Sequence, residues 1–273
     1  MNDDALDTQA AKTGAEPARV SVRLEFRESV AEIALDNGPL NLVDKALLRE
    51  LGRVLADVGG RADIRCVILH GGSGRAFCAG SDVKGFAGIR HDASEQKILF
   101  EDMVLRRLAR LPMPTIAAID GPALGGGLEI ALACDLRVCK RGATIGLPES
   151  RLGGLAGSGA IRLARLIGPG RAKELLFTGA TIASEQALAW GIVNRIAETS
   201  ALDVARELAA VVAARGPLSN RLAKSLVDAA HDLPLDAALS LSTVAQQRIF
   251  DSDDLHEGVA AFVAKRAPQF MGR

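Results

Sequence analysis

Thr115-Ile116-Ala117-Ala118-Ile119-Asp120-Gly121-Pro122-Ala123-Leu124-Gly125-Gly126-Gly127-Leu128-Glu129 decides how the rest of the chain is read. Its first five residues form a short run with no polar alternation, the pattern of a strand buried on both faces. A glycine-rich turn follows at once. Leu128, Ile130, Ala131, Leu132 and Ala133 then continue as an amphipathic run, so the glycine triplet leads into a helix N-terminus. Unpaired backbone N–H groups and the helix dipole favour negative charge there, and Glu129 sits on that first turn. Twenty positions on, Ala143-Thr144-Ile145-Gly146-Leu147-Pro148-Glu149 closes on a second glutamate. A carboxylate next to a stabilised oxyanion can serve as acid or base, so the two stretches together point to an enzyme.

The strand–helix alternation extends on both sides of this stretch. Val20 to Phe26 and Ser29 to Leu35 alternate at the strand period, with a turn at Glu28 and Ser29. Val43, Leu47, Leu48, Leu51, Val54, Leu55 and Val58 recur at helical spacing up to Gly59-Gly60. Cys66 to Leu69 reads as a buried strand. Ser94 is expected to cap a helix that ends at Pro112 and Pro114. Leu136 to Cys139 and Thr144 to Leu147 add further strands, which gives an α/β body. After about Glu198 the texture becomes helical, with periodic runs at Ala201–Ala214, Leu218–Ala230, Leu235–Phe250 and Leu255–Ala264. Ser252 is a candidate cap for the last. The expected division is a tail at 1–19, a catalytic α/β domain at 20–198 and a helical oligomerisation domain at 199–273. The helical part has apolar faces suited to a partner subunit.

Composition narrows the function classes. Of 273 residues, 48 % are hydrophobic and 24 % charged, enough for an ordinary core. Basic and acidic residues balance at 33 each, which argues against broad attraction to nucleic acid or an anionic membrane. With no Tyr and one Trp, the chain lacks the aromatic platforms of a single-strand binder. Cys66, Cys78, Cys134 and Cys139 show no metal-ligand pairing and read as reduced thiols, so no metal is expected. Acidic residues at 3, 4, 7 and 16 and the lack of a long apolar run speak against a leader or membrane helix, leaving the cytoplasm as the default expectation.

A second glycine-bearing loop, Ala76-Phe77-Cys78-Ala79-Gly80-Ser81-Asp82-Val83-Lys84, follows another buried strand. Small residues allow close backbone approach, and N–H groups from two loops can converge on one carbonyl oxygen. These loops occur with Pro39-Leu40-Asn41, Leu147-Pro148-Glu149, Arg171-Ala172-Lys173-Glu174-Leu175, Ala187-Leu188-Ala189-Trp190-Gly191-Ile192-Val193 and Glu257-Gly258-Val259-Ala260-Ala261-Phe262 in one order. In that order they resemble the crotonase (enoyl-CoA hydratase/isomerase) superfamily, from about residue 20 onward.

The resemblance implies a ClpP-like spiral of repeated ββα units, a C-terminal helical trimerisation unit and acyl-CoA thioester substrates, with no cofactor beyond the coenzyme A of the substrate. It implies a homotrimer or a hexamer of two trimers. It places an oxyanion hole at the backbone N–H groups of Ser81 and Gly126, and the two hydratase glutamates at Glu129 and Glu149. Substrate contacts fall on Ala79, Gly80, Asp82, Val83, Lys84, Gly125, Pro148 and Gly157. Hydration of a 2-enoyl thioester, a step of fatty acid metabolism, is the implied lyase reaction. A Δ3,Δ2-enoyl-CoA isomerase or another acyl-CoA dehydratase is the alternative. After Glu149 the family's Leu-Gly-x-x-Pro-Gly-x-Gly-Gly-x becomes Leu152-Gly153-Gly154-Leu155-Ala156-Gly157-Ser158-Gly159-Ala160-Ile161, with alanine for proline and about one residue fewer before Arg162.

Other readings are weaker. Asp82 suits a loop cap, Lys84 either a phosphate contact or a solvated surface, and His91 a solvated loop. Trp190 reads as packing, and Lys265 and Arg266 as either contacts to a neighbouring subunit's coenzyme or a helix end. An RNA-binding member of the family would need a net basic helix, but Lys45, Arg49 and Arg53 alternate with Asp44, Glu50 and Asp57. A nucleotide-binding dehydrogenase would need G-x-G-x-x-G after its first strand, and none is there.

Overall fold

The computed structural model describes residues 21–273; the expected N-terminal tail lies outside them. An antiparallel hairpin opens the fold, β1 (Val22–Arg27) and β2 (Val30–Leu35), turning at Glu28 with a φ of 53°. Helix α1 (Lys45–Gly59) starts at Asp44, whose Oδ1 accepts the Leu47 N–H at 2.7 Å, and buries Leu47, Leu48, Leu51, Val54, Leu55 and Val58. β3 (Cys66–His70), α2 (Leu99–Ala109) and β4 (Thr115–Ile119) follow. Ser94 does not cap α2. It begins a π turn, Ser94–Ile98, that runs directly into the helix, so there is no free helix start for its hydroxyl to cap.

The glycine-rich stretch forms β5 (Ala123–Leu124) and α3 (Gly126–Leu132), and the chain returns through β6 (Leu136–Lys140) and β7 (Thr144–Gly146). Helices α4 (Gly157–Ile167) and α5 (Pro169–Thr178), strand β8 (Thr181–Ala183), α6 (Ser184–Ala189) and β9 (Arg195–Ala197) complete the strand-bearing part. The larger sheet has the order β1-β2-β3-β4-β6-β9, parallel from β2 onward. The smaller has the order β5-β7-β8.

Parallel strands with no wet face need cover on both sides. One side carries the main core, built from α1, α2 and α3 around Leu51, Leu69, Phe77, Leu108 and Leu128. The other is covered by α7 (Ala201–Ala213), whose Ala201, Ala205 and Ala209 lie against Cys66, Ile68, Ile116, Ala118 and Val138. Alanine at every fourth position lets the helix backbone approach the sheet closely. Although α7 belongs to the helical stretch set apart at 199–273, it is a layer of the α/β body.

Helices α8 (Pro217–Ala230), α9 (Leu235–Phe250) and α10 (Asp253–Val263) complete the chain, with Ser252 capping α10 through the Leu255 N–H at 3.2 Å. α8 is tied to the body by Lys224, whose Nζ lies 2.8 Å from Asp135 Oδ2. Leu235, Leu239, Val244 and Phe250 of α9 and Phe262 and Val263 of α10 are exposed. Among the described residues no helix is long and apolar enough to cross a membrane.

Candidate active site

The first loop is fastened to the segment before α1. Ala79 N–H donates to Leu40 O at 2.9 Å, Val43 N–H to Gly80 O at 2.8 Å, and Asp82 N–H to Val43 O at 2.9 Å. Asn41, fully buried, donates its amide to the Gly71, Ala76 and Phe77 carbonyls. In a parallel bridge of this kind Val43 bonds to the residues on either side of Ser81, so Ser81 turns its own N–H the opposite way. It faces the start of α3, where a Cβ built on Gly126 would lie 3.7 Å from Ser81 N.

A second bridge, Cys78 to Ala123, aligns the two loops, with Leu124 N–H donating to Cys78 O at 3.0 Å. Gly126 is the first residue of α3, so its N–H has no partner within the helix. Among the described residues neither the Ser81 nor the Gly126 N–H has an acceptor. Two main-chain donors from separate loops therefore face one space, an arrangement that can hold an oxygen gaining negative charge.

Gly125 joins this space to the second glutamate. Its φ is 52°, its N–H donates to Gly146 O at 2.9 Å, and a Cβ on it would lie 2.8 Å from Glu149 Oε1. Only glycine meets both conditions. Glu149 stands on a 3-10 turn, Pro148–Leu152, and its Oε2 is buried without a hydrogen-bond partner among the described residues. Glu129, on the first turn of α3, accepts the Gly159 N–H at 2.6 Å on Oε1. A Cβ on Gly159 would be 3.0 Å from Glu129 Cγ, so the start of α4 rests on that side chain.

Both carboxyls sit above the usual glutamate range. Burial raises Glu129, while the Gly159 N–H and the cations Lys97 and Arg162 pull it down and Glu101 pushes it up. Burial is also the main cause for Glu149. Its own N–H works against the shift, and the charge of Glu129 adds to it. The Gly159 N–H favours the charged form of Glu129, whereas the charge of Glu129 favours the protonated form of Glu149.

The structure thus brings Ser81, Gly125, Gly126, Glu129 and Glu149 together, with Ala79 and Gly80 (φ 111°) in the segment between the Cys78 and Ser81 bridges. Asp82 accepts the Lys84 N–H at 3.2 Å and opens a 3-10 turn, Val83–Phe86. Val83 and Lys84 are exposed on that turn, as is Gly157 at the start of α4, and Pro148 begins the turn that carries Glu149. His91 is exposed and His70 accepts the Gly72 N–H at Nδ1. Arg266 is engaged in its own chain, bidentate to Glu257 at 2.6 and 2.8 Å.

Burial pushes all four thiols up to about 12, so they are inert at neutral pH. Two features left no local sequence signal: the Gly159 N–H on Glu129, which spans 30 residues, and the unpartnered Ser158 hydroxyl. The Lys97–Glu101 ion pair at 2.5 Å was missed although its i,i+4 spacing is a local signal.

Comparison with known proteins shows the family. The family model for enoyl-CoA hydratase/isomerase matches residues 25–273. The short-chain-enoyl-CoA hydratase of Clostridium acetobutylicum is 33 % identical over 249 residues, covering 90 % of this chain and 95 % of its own. The carnitinyl-CoA dehydratase of Proteus mirabilis is 38 % identical over 260 residues, covering 93 % and 99 %. Among solved structures, the enoyl-CoA hydratase of Bacillus anthracis superposes with a TM-score of 0.89 at 35 % identity, over 93 % of this chain and all of the other. The fold is the α/β crotonase fold.

Proposed function

We propose that this chain, which belongs to the enoyl-CoA hydratase/isomerase family, is a hydratase that adds water across the 2,3 double bond of a 2-enoyl-CoA thioester. The observation that carries the reading is the buried pair Glu129 and Glu149, both with raised pKa, beside two main-chain donors that lack an acceptor among the described residues. The thioester carbonyl oxygen rests on the Ser81 and Gly126 N–H groups, and both carboxyls hold the water. The water oxygen bonds to Cβ as its proton passes to Glu129. The π electrons move into the enolate, and Glu149, the proton holder of the pair, protonates Cα. Nothing is oxidised or reduced, so the scheme calls for no cofactor besides the coenzyme A of the substrate.

Ala79, Gly80, Asp82, Val83, Lys84, Gly125, Pro148 and Gly157 are assigned to the acyl-CoA on the family resemblance. The exposed apolar side chains of α9 and α10 support a helical association unit in a homotrimer or hexamer, because patches of this kind on a soluble chain mark interfaces. The test is loss of enoyl-thioester absorbance on crotonyl-CoA. Glu129→Gln and Glu149→Gln should each lower kcat by at least about 100-fold, the scale typical of losing a positioned acid or base. A wild type that does not hydrate crotonyl-CoA but converts a 3-enoyl-CoA, at a rate that survives Glu129→Gln and not Glu149→Gln, would be an isomerase instead.

A further inference from the structure

Residues 153–159 lie directly against both glutamates. Gly154 N–H donates to Glu149 O at 2.9 Å, and a Cβ on Gly154 would lie 3.6 Å from Glu149 Cβ. At the other end, Gly159 touches Glu129 as described. Between these contacts stands Ser158, in the first turn of α4. A serine there usually bonds its hydroxyl to the N–H groups of its own turn or to a nearby carbonyl. Ser158 does neither: its Oγ is buried and has no hydrogen-bond partner among the described residues.

Only one other side-chain polar atom of the described residues shares that condition, Glu149 Oε2. Native proteins satisfy nearly all buried polar groups, and two exceptions, one on a catalytic glutamate of the proposed reaction and one on the segment that rests on both glutamates, suggest a shared ligand. Space for a bulkier residue is not the reason serine is there, since alanine would fill the same volume without an unpaired hydroxyl.

We propose that Ser158 is a further catalytic residue whose hydroxyl donates a hydrogen bond to the reacting water; this rests on the hydratase reading above. A water that donates to Glu129 and Glu149 has two lone pairs left. Ser158 occupies one and fixes the direction of the other, which attacks Cβ. The serine keeps its own proton throughout. The water gives one proton to Glu129 as the O–Cβ bond forms, and Glu149 supplies the proton that Cα receives.

The test uses the full-length enzyme and Ser158→Ala, with three readouts. Hydration of crotonyl-CoA needs the water. Exchange of the Cα proton of butyryl-CoA in D2O needs Glu149 and the two N–H donors, but no water addition. The thermal midpoint reports on the fold. The expected result is a kcat for hydration about tenfold lower, the worth of one neutral hydrogen bond. Exchange should stay within about twofold, and the thermal midpoint should not fall, because the hydroxyl removed had no protein partner. Unchanged hydration overturns the proposal, as does an equal loss in both reactions, which would make Ser158 a structural residue. A wild-type enzyme that exchanges the Cα proton but does not hydrate crotonyl-CoA overturns the hydratase reading itself, and the water role with it.

Discussion

Gly127→Ala tests whether the two loops must pack as closely as they do. A Cβ at Gly127 would be driven into the Cys78 carbonyl oxygen, with Cys78 C 2.7 Å and Cys78 Cβ 2.8 Å away. Carbon atoms prefer about 3.5–4.0 Å, so the Cys78 loop and the start of α3 must separate by roughly 1 Å. The obstacle is backbone, and rotamer change cannot relieve it. That carbonyl also accepts the Leu124 N–H, the bond that aligns the loops carrying Ser81 and Gly126. Moving one donor by roughly 1 Å costs about 100-fold in rate, and losing a donor outright costs about 100- to 1,000-fold. Overpacking adds about 1–3 kcal/mol of destabilisation.

The assay pairs a urea melt with crotonyl-CoA hydration under conditions where the variant is folded. The expected kcat is about 100-fold below wild type. Gly170→Ala is the control, because nothing lies within 4 Å of the Cβ it would add; it should leave the rate unchanged. A folded Gly127→Ala enzyme with kcat within about threefold of wild type would refute the packing argument, whose basis is the 1 Å separation.

Two further substitutions probe charge. The folded-state pKa of Glu149 is raised, so the folded chain binds this proton more tightly than the unfolded chain, and stability falls as pH rises from the ordinary value of 4.5 through the folded one. Glu149→Gln removes that loss, so its thermal midpoint relative to wild type should climb as the pH rises above 4.5; a constant or shrinking difference would contradict the assignment. Asp135 accepts from Thr115 N at 2.7 Å, Thr115 Oγ1 at 2.9 Å and Lys224 Nζ at 2.8 Å, and the Lys224 side chain is only 9 % exposed. Lys224→Met should therefore cost about 2–3 kcal/mol in a urea melt, with part recovered by adding Asp135→Asn, since it leaves a mostly buried carboxylate short of one donor. An unchanged midpoint for Lys224→Met would mean that α8 is held to the body by other contacts.

What the sequence reveals of this fold depends on whether the determinant is local. β3 and β4 could be read because buried parallel strands are unbroken apolar runs, and Ser252 because a cap acts within its own turn. The glycines of the two loops could be read because glycine marks positive φ or close approach, and Gly80, Gly125 and Gly127 have those properties. Ser94 misled because a capping residue looks the same whether a helix begins there or a π turn feeds one. α7 shows a different limit. Helical periodicity identifies the buried face but not what covers it, so a helix that closes the main sheet looked like the rest of the helical tail. The Gly159 N–H on Glu129 spans 30 residues and needs the α4 start to sit beside α3, which no local pattern encodes.

The two glutamates differ less in chemistry than in what the backbone offers them. Glu129 has a main-chain donor from α4 on Oε1, which favours its charged form; Glu149, equally in need of a partner, has a buried Oε2 with none among the described residues and feels the charge of Glu129. In the proposed hydration that asymmetry makes Glu129 the base and Glu149 the acid without any difference in side-chain type. It also explains why the site depends on glycine. Gly125 gives Glu149 Oε1 its room, Gly159 lets α4 reach Glu129, and Gly127 lets α3 reach the Ser81 loop. A methyl group at any of the three would act on the same site from a different side: at Gly125 on Glu149, at Gly159 on Glu129, at Gly127 on the loop that carries Ser81. At Ser81 the group used by the proposed reaction is a backbone N–H, so an alanine there would leave the donor in place.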